Sequence, residues 1–200
     1  MPPEKLSLDF YRHEDVVQVS RNLIGKVLCT RIGDYPLTSG IITETEAYSG
    51  RNDKACHAHL GRRTDRTEIM YHAGGKAYVY LCYGIHNLFN IVTNRDGLAD
   101  AVLVRAIKPV DGINAMMDRR NISKNKPALT AGPGRLTEAL GITREHYGTE
   151  LDGDTIWLED RGIEVGDDRI EATPRIGIDY AEEDADLPWR FILADSKWVS

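Results

Sequence analysis

An α+β fold is expected from this sequence: a mostly antiparallel curved sheet or partial barrel with flanking helices. Three observations carry that expectation. Segments rich in β-branched and aromatic residues recur without regular alternation with helices, which disfavours a doubly wound parallel sheet. The helical segments are short and bounded by glycine. No repeat, low-complexity tract or linker-like run of Gly, Ser or Pro divides the 200 residues, so one domain spanning 1–200 is expected.

The elements follow in order. From Glu14 to Leu23 the apolar residues Val16, Val17, Val19, Leu23 and Ile24 mark the buried face of a helix, and Gly25 suits its end. Lys26–Ile32 reads as a strand. Gly40–Tyr48, Ala77–Tyr83 and Ala101–Ile107 are stronger strand candidates, each bounded by Gly, Asp or Asn. Helices are expected at Gly112–Arg120 and Gly134–Leu140, the second closed by Gly141. Further strands are expected at Thr155–Glu159, Ile170–Ile178 and Arg190–Ala194.

Composition narrows the class. A chain that is 42% hydrophobic and 28% charged is long enough for one sizeable core. No apolar stretch approaches the roughly 20 residues of a membrane helix, and Met1-Pro2-Pro3-Glu4-Lys5 lacks the order of a secretory signal, so a cytoplasmic location is expected. Cys29, Cys56 and Cys82 are too few and too odd in number for a disulfide framework.

The net charge of −6 argues against a nucleic-acid partner, but its distribution does not. Residues 51–135 hold 14 Lys and Arg against 7 Asp and Glu, whereas residues 136–200 hold 6 against 17. A basic middle and an acidic end are compatible with one face that meets phosphates, and equally with chance segregation of surface charge.

In a regular strand over 41–48, Ile42, Glu44, Glu46 and Tyr48 share one face. Two carboxylates beside an aromatic can be a solvated edge. They can also supply a partly desolvated general base toward water at a glycosidic carbon. The pattern alone leaves both readings open.

Cys56-His57-Ala58-His59, with His72, Cys82 and His86, raises a metal site, but the spacings match no familiar zinc pattern and the Pro-Cys-x-x-Cys element of zinc deaminases is missing. Gly132-Pro133-Gly134 carries Pro where a phosphate cradle wants an N–H, so it reads as a turn into a helix. Neither a metal nor a nucleotide cofactor is expected. Tyr71, Tyr78, Tyr80, Tyr83 and Phe89 gather in the basic middle, with Tyr78, Tyr80 and Cys82 on one strand face. Such rings either pack or stack on bases.

Thr43-Glu44-Thr45-Glu46-Ala47-Tyr48, His57, Gly61-Arg62-Arg63-Thr64, Tyr78-Val79-Tyr80, Tyr83-Gly84, Asn90-Ile91, Leu103-Val104-Arg105-Ala106 and Gly132-Pro133, in this order, resemble the alkyladenine (3-methyladenine) DNA glycosylase family. The likeness runs from about Ser20 to Ser200. It implies a monofunctional glycosylase that flips a damaged purine out of duplex DNA and hydrolyses its N-glycosidic bond. By that resemblance Glu46 is the general base, and Arg105 and the carbonyl of Ile176 hold the water and the target nucleotide. Tyr48, His57 and Tyr80 wall the base, with His57 or its partners assisting protonation of neutral leaving bases. Asn90 obstructs the 2-amino group of normal guanine, Tyr83 fills the gap in the helix, and Glu44 has no role assigned. Leu103, Arg62, Arg63, Arg66, Lys76 and Arg135 are expected to contact DNA.

The implied partner is double-stranded DNA containing a damaged purine, bound by a monomer with no membrane association, near the nucleoid in a prokaryote. Segments around Arg95–Asp100 and Tyr180–Leu187 are where lesion preference is expected to vary. Two other readings are a nucleic-acid-binding module without chemistry and a formyl- or acyl-transfer enzyme on a similar barrel. A paired carboxylate and arginine disfavour the first, and the want of a nucleophile elbow or cofactor loop disfavours the second.

Overall fold

In the computed structural model, which describes residues 3–200, two long strands form the spine of one sheet: β3 (Thr38–Tyr48) and β6 (Asp100–Asp111). Around them lie β1 (Glu4–Lys5), β2 (Val27–Thr30), β4 (Ala77–Cys82), β5 (His86–Thr93), β7 (Ile156–Asp160), β8 (Ile170–Thr173) and β9 (Arg190–Leu193). The order is β1-β7-β2-β3-β6-β5-β4, with β8 joined through β9 to β3, and each pairing is antiparallel.

One edge of β3 serves two partners end to end. Residues 38–41 pair with β2 and residues 44–46 pair with β9. Ile42 marks the hand-over, its N–H donating to the Lys26 carbonyl and its carbonyl accepting from the Gly25 N–H. On the opposite edge the register with β6 slips at Ser39/Gly40, Ile42/Glu44 and Glu44/Thr45. Such irregularities bend a strand and deepen its twist, which is how the sheet curls into a partial barrel. They also break simple alternation. Ile42 packs in the main apolar cluster with Ala47, while Glu44, Glu46 and Tyr48 stay grouped around shared polar partners.

Four short α-helices flank the sheet: α1 (Leu8–Tyr11), α2 (Val16–Asn22), α3 (Ile113–Arg119) and α4 (Pro133–Leu140). The Asp15 carboxylate caps α2, accepting from the Val17 and Gln18 N–H groups. Pro133 starts α4 without wasting a donor, and Gly141, at φ +76°, ends it in the left-handed conformation. Leu136, Ala139 and Leu140 of α4 join Leu23, Leu28, Phe89, Ile91, Val104, Ile107 and Met116 in the core.

The α+β expectation holds, and the expected elements fall within a few residues of the observed ones. Two differ. The strand β5 was not expected, because His86-Asn87-Leu88-Phe89-Asn90 is interrupted by polar residues. Its first residues pair with β4 at the exposed end of a hairpin, and only from Leu88 onward is it buried. The expected strand Ile170–Ile178 stops at Thr173, where Pro174 intervenes and Gly177 adopts φ +75°.

Candidate active site

A cleft of about 860 Å³ opens where β3, β4 and β6 face the turn at residues 132–134 and the loop at residues 176–180. Glu46 lies just beneath its floor, covered by the lining residues Tyr48, Arg105 and Ile176, in mid-sheet where β3 is flanked by β6 through Leu103 and by β9 through Arg190. The residue is wholly buried, so its carboxylate depends on protein donors. Its Oε1 accepts from the Ile176 N–H at 2.8 Å and lies 3.3 Å from Arg105 Nη1, and its Oε2 accepts from the Tyr48 hydroxyl at 2.7 Å. Burial, and then the Glu46 charge, push the Tyr48 hydroxyl well above its ordinary pKa, so it remains a donor.

Arg105 links the two glutamates. Its Nε donates to Glu44 Oε1 at 3.0 Å while Nη1 faces Glu46. Burial works against its charge, but Glu46 and Glu44 outweigh burial and hold its pKa raised.

A second buried pair fixes the loop that supplies Ile176. Arg175 grips Asp53 with both Nη atoms, at 2.6 and 2.8 Å, and donates to the carbonyls of Ala47 and Asp184. Its guanidinium lies between rings, 4.8 Å from Tyr48 and 5.2 Å from Trp189. Neither member of the pair is exposed, and the bidentate geometry leaves little freedom to the adjoining peptide.

The aromatic wall comes from β4 and the loop before it. Tyr78 and Tyr80 lie with ring centroids 5.4 Å apart, and His57 meets Tyr80 edge-on at 4.8 Å. His57 Nδ1 is 2.8 Å from the Tyr78 hydroxyl, and Arg66 sits over the Tyr80 ring at 4.5 Å with Nη2 3.1 Å from His57 Nε2. Burial, then the charges of Arg66 and Arg62, lower the His57 pKa to about 4. The ring is therefore neutral near pH 7. With Arg66 able only to donate, Nε2 is the acceptor and the single N–H, on Nδ1, faces the Tyr78 hydroxyl. Asn90, buried in β5, donates to the Tyr78 carbonyl and borders the cleft.

Tyr83 stands at the tip of the β4–β5 hairpin, 91% exposed. It has φ +51° and Gly84 has φ +72°, with the Ile85 N–H closing the turn onto the Cys82 carbonyl. Two consecutive left-handed residues suit a tight hairpin, but a left-handed conformation is uncommon for an aromatic residue.

The structure thus brings Tyr48, His57, Tyr80, Asn90, Arg105 and Ile176 to one cleft, with Tyr83, Arg66 and Arg135 also on its border, and sets Glu46 directly behind Tyr48, Arg105 and Ile176. The structure adds detail at four of the expected residues. Ile176, whose carbonyl is expected to hold the water, also donates its N–H to Glu46. Leu103, only 3% exposed in the middle of β6, belongs to the cleft floor and has no surface to offer a phosphate. Lys76 is drawn into an ion pair with Glu150, away from the cleft, and Arg63 is held by both oxygens of Glu68. Asp53, Arg175, Arg190 and Ser200 went unnoticed as site residues, being 122 to 156 positions from their partners. A buried arginine beside a Pro-and-Gly loop was the only local signal.

A desolvated carboxylate held by fixed donors directly behind an open, aromatic-walled cleft is an arrangement suited to acid–base chemistry on a flat ligand. Comparison with known proteins makes the class specific. Residues 9–197 match the model of the methylpurine-DNA glycosylase family. The chain is 49% identical to a protein of Chlamydia felis (92% of this chain, 93% of the relative), 46% identical to one of Bacillus thuringiensis (93% and 94%), and 41% identical to one of Natranaerobius thermophilus (98% of each). All three bear the name "Putative 3-methyladenine DNA glycosylase". The chain belongs to the methylpurine-DNA glycosylase family, the DNA glycosylases of alkylated purines.

Proposed function

We propose that this protein excises alkylated and deaminated purines, 3-methyladenine and hypoxanthine among them, from double-stranded DNA by hydrolysis, with Glu46 activating the water. The observation that carries the reading is the setting of Glu46. Two hydrogen bonds and the Arg105 guanidinium at 3.3 Å hold the carboxylate, whose two oxygens together offer about four acceptor directions, so one direction is left uncommitted by protein and is assigned to a water O–H. As the bond from the sugar C1′ to the base nitrogen breaks, its electron pair leaves with the base. The water oxygen bonds to C1′ and its proton passes to Glu46. The carboxylate also stabilises the oxocarbenium charge that develops on the sugar.

Tyr48, His57 and Tyr80 form the slot for the extruded base, and Tyr83 enters the duplex in its place. Extrusion costs a few kcal/mol, which stacking in an aromatic slot offsets. A base alkylated to a cation is attracted to ring faces and departs as a neutral molecule, so it needs little further chemical help. Hypoxanthine leaves as an anion unless protonated, and the Arg66 guanidinium, over the Tyr80 ring, is the group placed to meet it. Asn90, buried beside Tyr78, guards against the 2-amino group of guanine. Arg62, Arg66 and Arg135 are exposed and supply the cationic contacts to phosphates.

The test is a duplex with one hypoxanthine, incubated with the protein and then treated with alkali to cleave abasic sites. Scission that requires both protein and lesion is expected. Binding without scission would instead favour a module that recognises DNA and does no chemistry.

A further inference from the structure

We propose that Glu44 is a positioning residue for hydrolysis: it holds Arg105 by its Nε edge so that only the far edge of the guanidinium reaches Glu46. This rests on the reading of Glu46 as the base.

Glu44 is wholly buried and its carboxylate is fully engaged by protein. Oε1 accepts from Arg105 Nε at 3.0 Å, Arg190 Nε at 2.7 Å and Ser200 Oγ at 2.8 Å, and Oε2 accepts from the Ser200 N–H at 2.6 Å. Nothing is left for substrate or water, which separates Glu44 from Glu46 despite their shared arginine. Ser200 is a second clamp, its Oγ accepting from Arg105 Nη2 at 3.0 Å while donating to Glu44.

An arginine beside a free carboxylate prefers the two-pronged geometry, which is short and strong and would occupy both oxygens of the base. Here that geometry is not formed. Arg105 touches Glu46 through Nη1 alone, at 3.3 Å, because its other edge is committed to Glu44. Charge tells the same story. Glu44 and Glu46 balance Arg105 and Arg190, and with Glu44 neutral, two guanidinium groups would face a single buried carboxylate. Arg105 would then close on Glu46, making it a poorer base beside a sugar that must become cationic.

The experiment compares wild type, Glu44→Gln and Ser200→Ala, all full length, in single-turnover excision of hypoxanthine at saturating protein. Affinity for a duplex with an abasic-site analogue is measured alongside. For Glu44→Gln the rate is expected to fall about 100-fold, the scale of a misplaced catalytic group, with affinity changed less than about threefold. The acidic limb of its pH–rate profile is expected to move to lower pH, a shift that loss of packing alone does not produce. Ser200→Ala removes one clamp at an exposed position, so a rate loss of about fivefold at unchanged thermal stability is expected. A folded Glu44→Gln protein within twofold of the wild-type rate overturns the assignment. Should that variant not fold, Ser200→Ala at the wild-type rate does so. A wild-type chain that releases no base overturns the functional reading, and Glu44's role with it.

Discussion

The floor of the cleft and its rim are built on opposite principles. At and beneath the floor, Arg105 is paired with the buried Glu44 and Glu46, and Arg175 with the buried Asp53. On the rim, Tyr83 is almost fully exposed and Arg62 and Arg66 reach into solvent. The difference teaches where each task resides. Chemistry needs groups already in place, because reorganising them during the reaction raises the barrier. Engaging a duplex needs groups that adapt to it. Variants of the floor should therefore act on rate and stability, and variants of the rim on DNA handling.

Glu46→Gln keeps the shape of the floor and removes its base, so single-turnover excision should fall by about 10³-fold or more while lesion-containing DNA still binds. A native rate of 3-methyladenine release would break the contrast outright. Asp53→Asn leaves the Arg175 charge buried without its counter-charge. The expected loss of stability is about 3–5 kcal/mol, read as a fall in denaturant or thermal midpoint. An unchanged midpoint would show the floor to be less tightly built than its geometry implies.

On the rim, Tyr83→Ala should slow excision from fully paired duplex by roughly tenfold or more, the scale of one lost aromatic–base contact, and much less from single strands, where nothing needs wedging apart. Equal losses on both substrates would move Tyr83 out of base extrusion.

His57 lies between the two zones and offers a pH readout. Its pKa is lowered to about 4 in the folded chain by burial and then by Arg66 and Arg62, against an ordinary value of 6.5. Between those two values the unfolded chain binds more protons at this residue, so its contribution to stability is fully present above pH 6.5. It is lost as the pH falls toward 4. Arg66→Gln should raise the imidazole pKa by a fraction of a unit to about one unit, seen by NMR titration. No movement would leave burial and Arg62 as the causes.

The smallest effect concerns salt. Arg62→Ala should lower the slope of log affinity against log salt by about one phosphate contact, whereas Lys76→Ala, already paired with Glu150, should leave it unchanged. Identical slopes for the two variants would mean that the ion pair opens on DNA.

Much of the fold was legible because its strands announce themselves locally. Val, Ile, Thr and Tyr recur in β3, β4 and β6, and glycine ends α4 where it should. The strand β5 escaped because its exposed hairpin end is polar, and the loop after β8 because a β-branched run conceals Pro174. In the site, Glu46 was visible only as one of two acids on a strand, and the family likeness chose between them. The ties that hold it were not visible at all. Asp53–Arg175 and Glu44–Arg190 join residues more than a hundred positions apart, and only closure of the sheet brings them together.

The shared edge of β3 has a consequence for the order in which the molecule comes into being. Of the groups that fix the two glutamates, the Ile176 N–H, Arg190 and Ser200 all lie beyond residue 175, and they arrive with β9 and the segments beside it. A ribosome-bound chain can pair β2, β3 and β6 and bury most of its core long before that. It cannot yet hold the two carboxylates in their final places. The surroundings of Glu44 and Glu46 are thus completed only after residues 176–200 have emerged, when most of the core can already be buried.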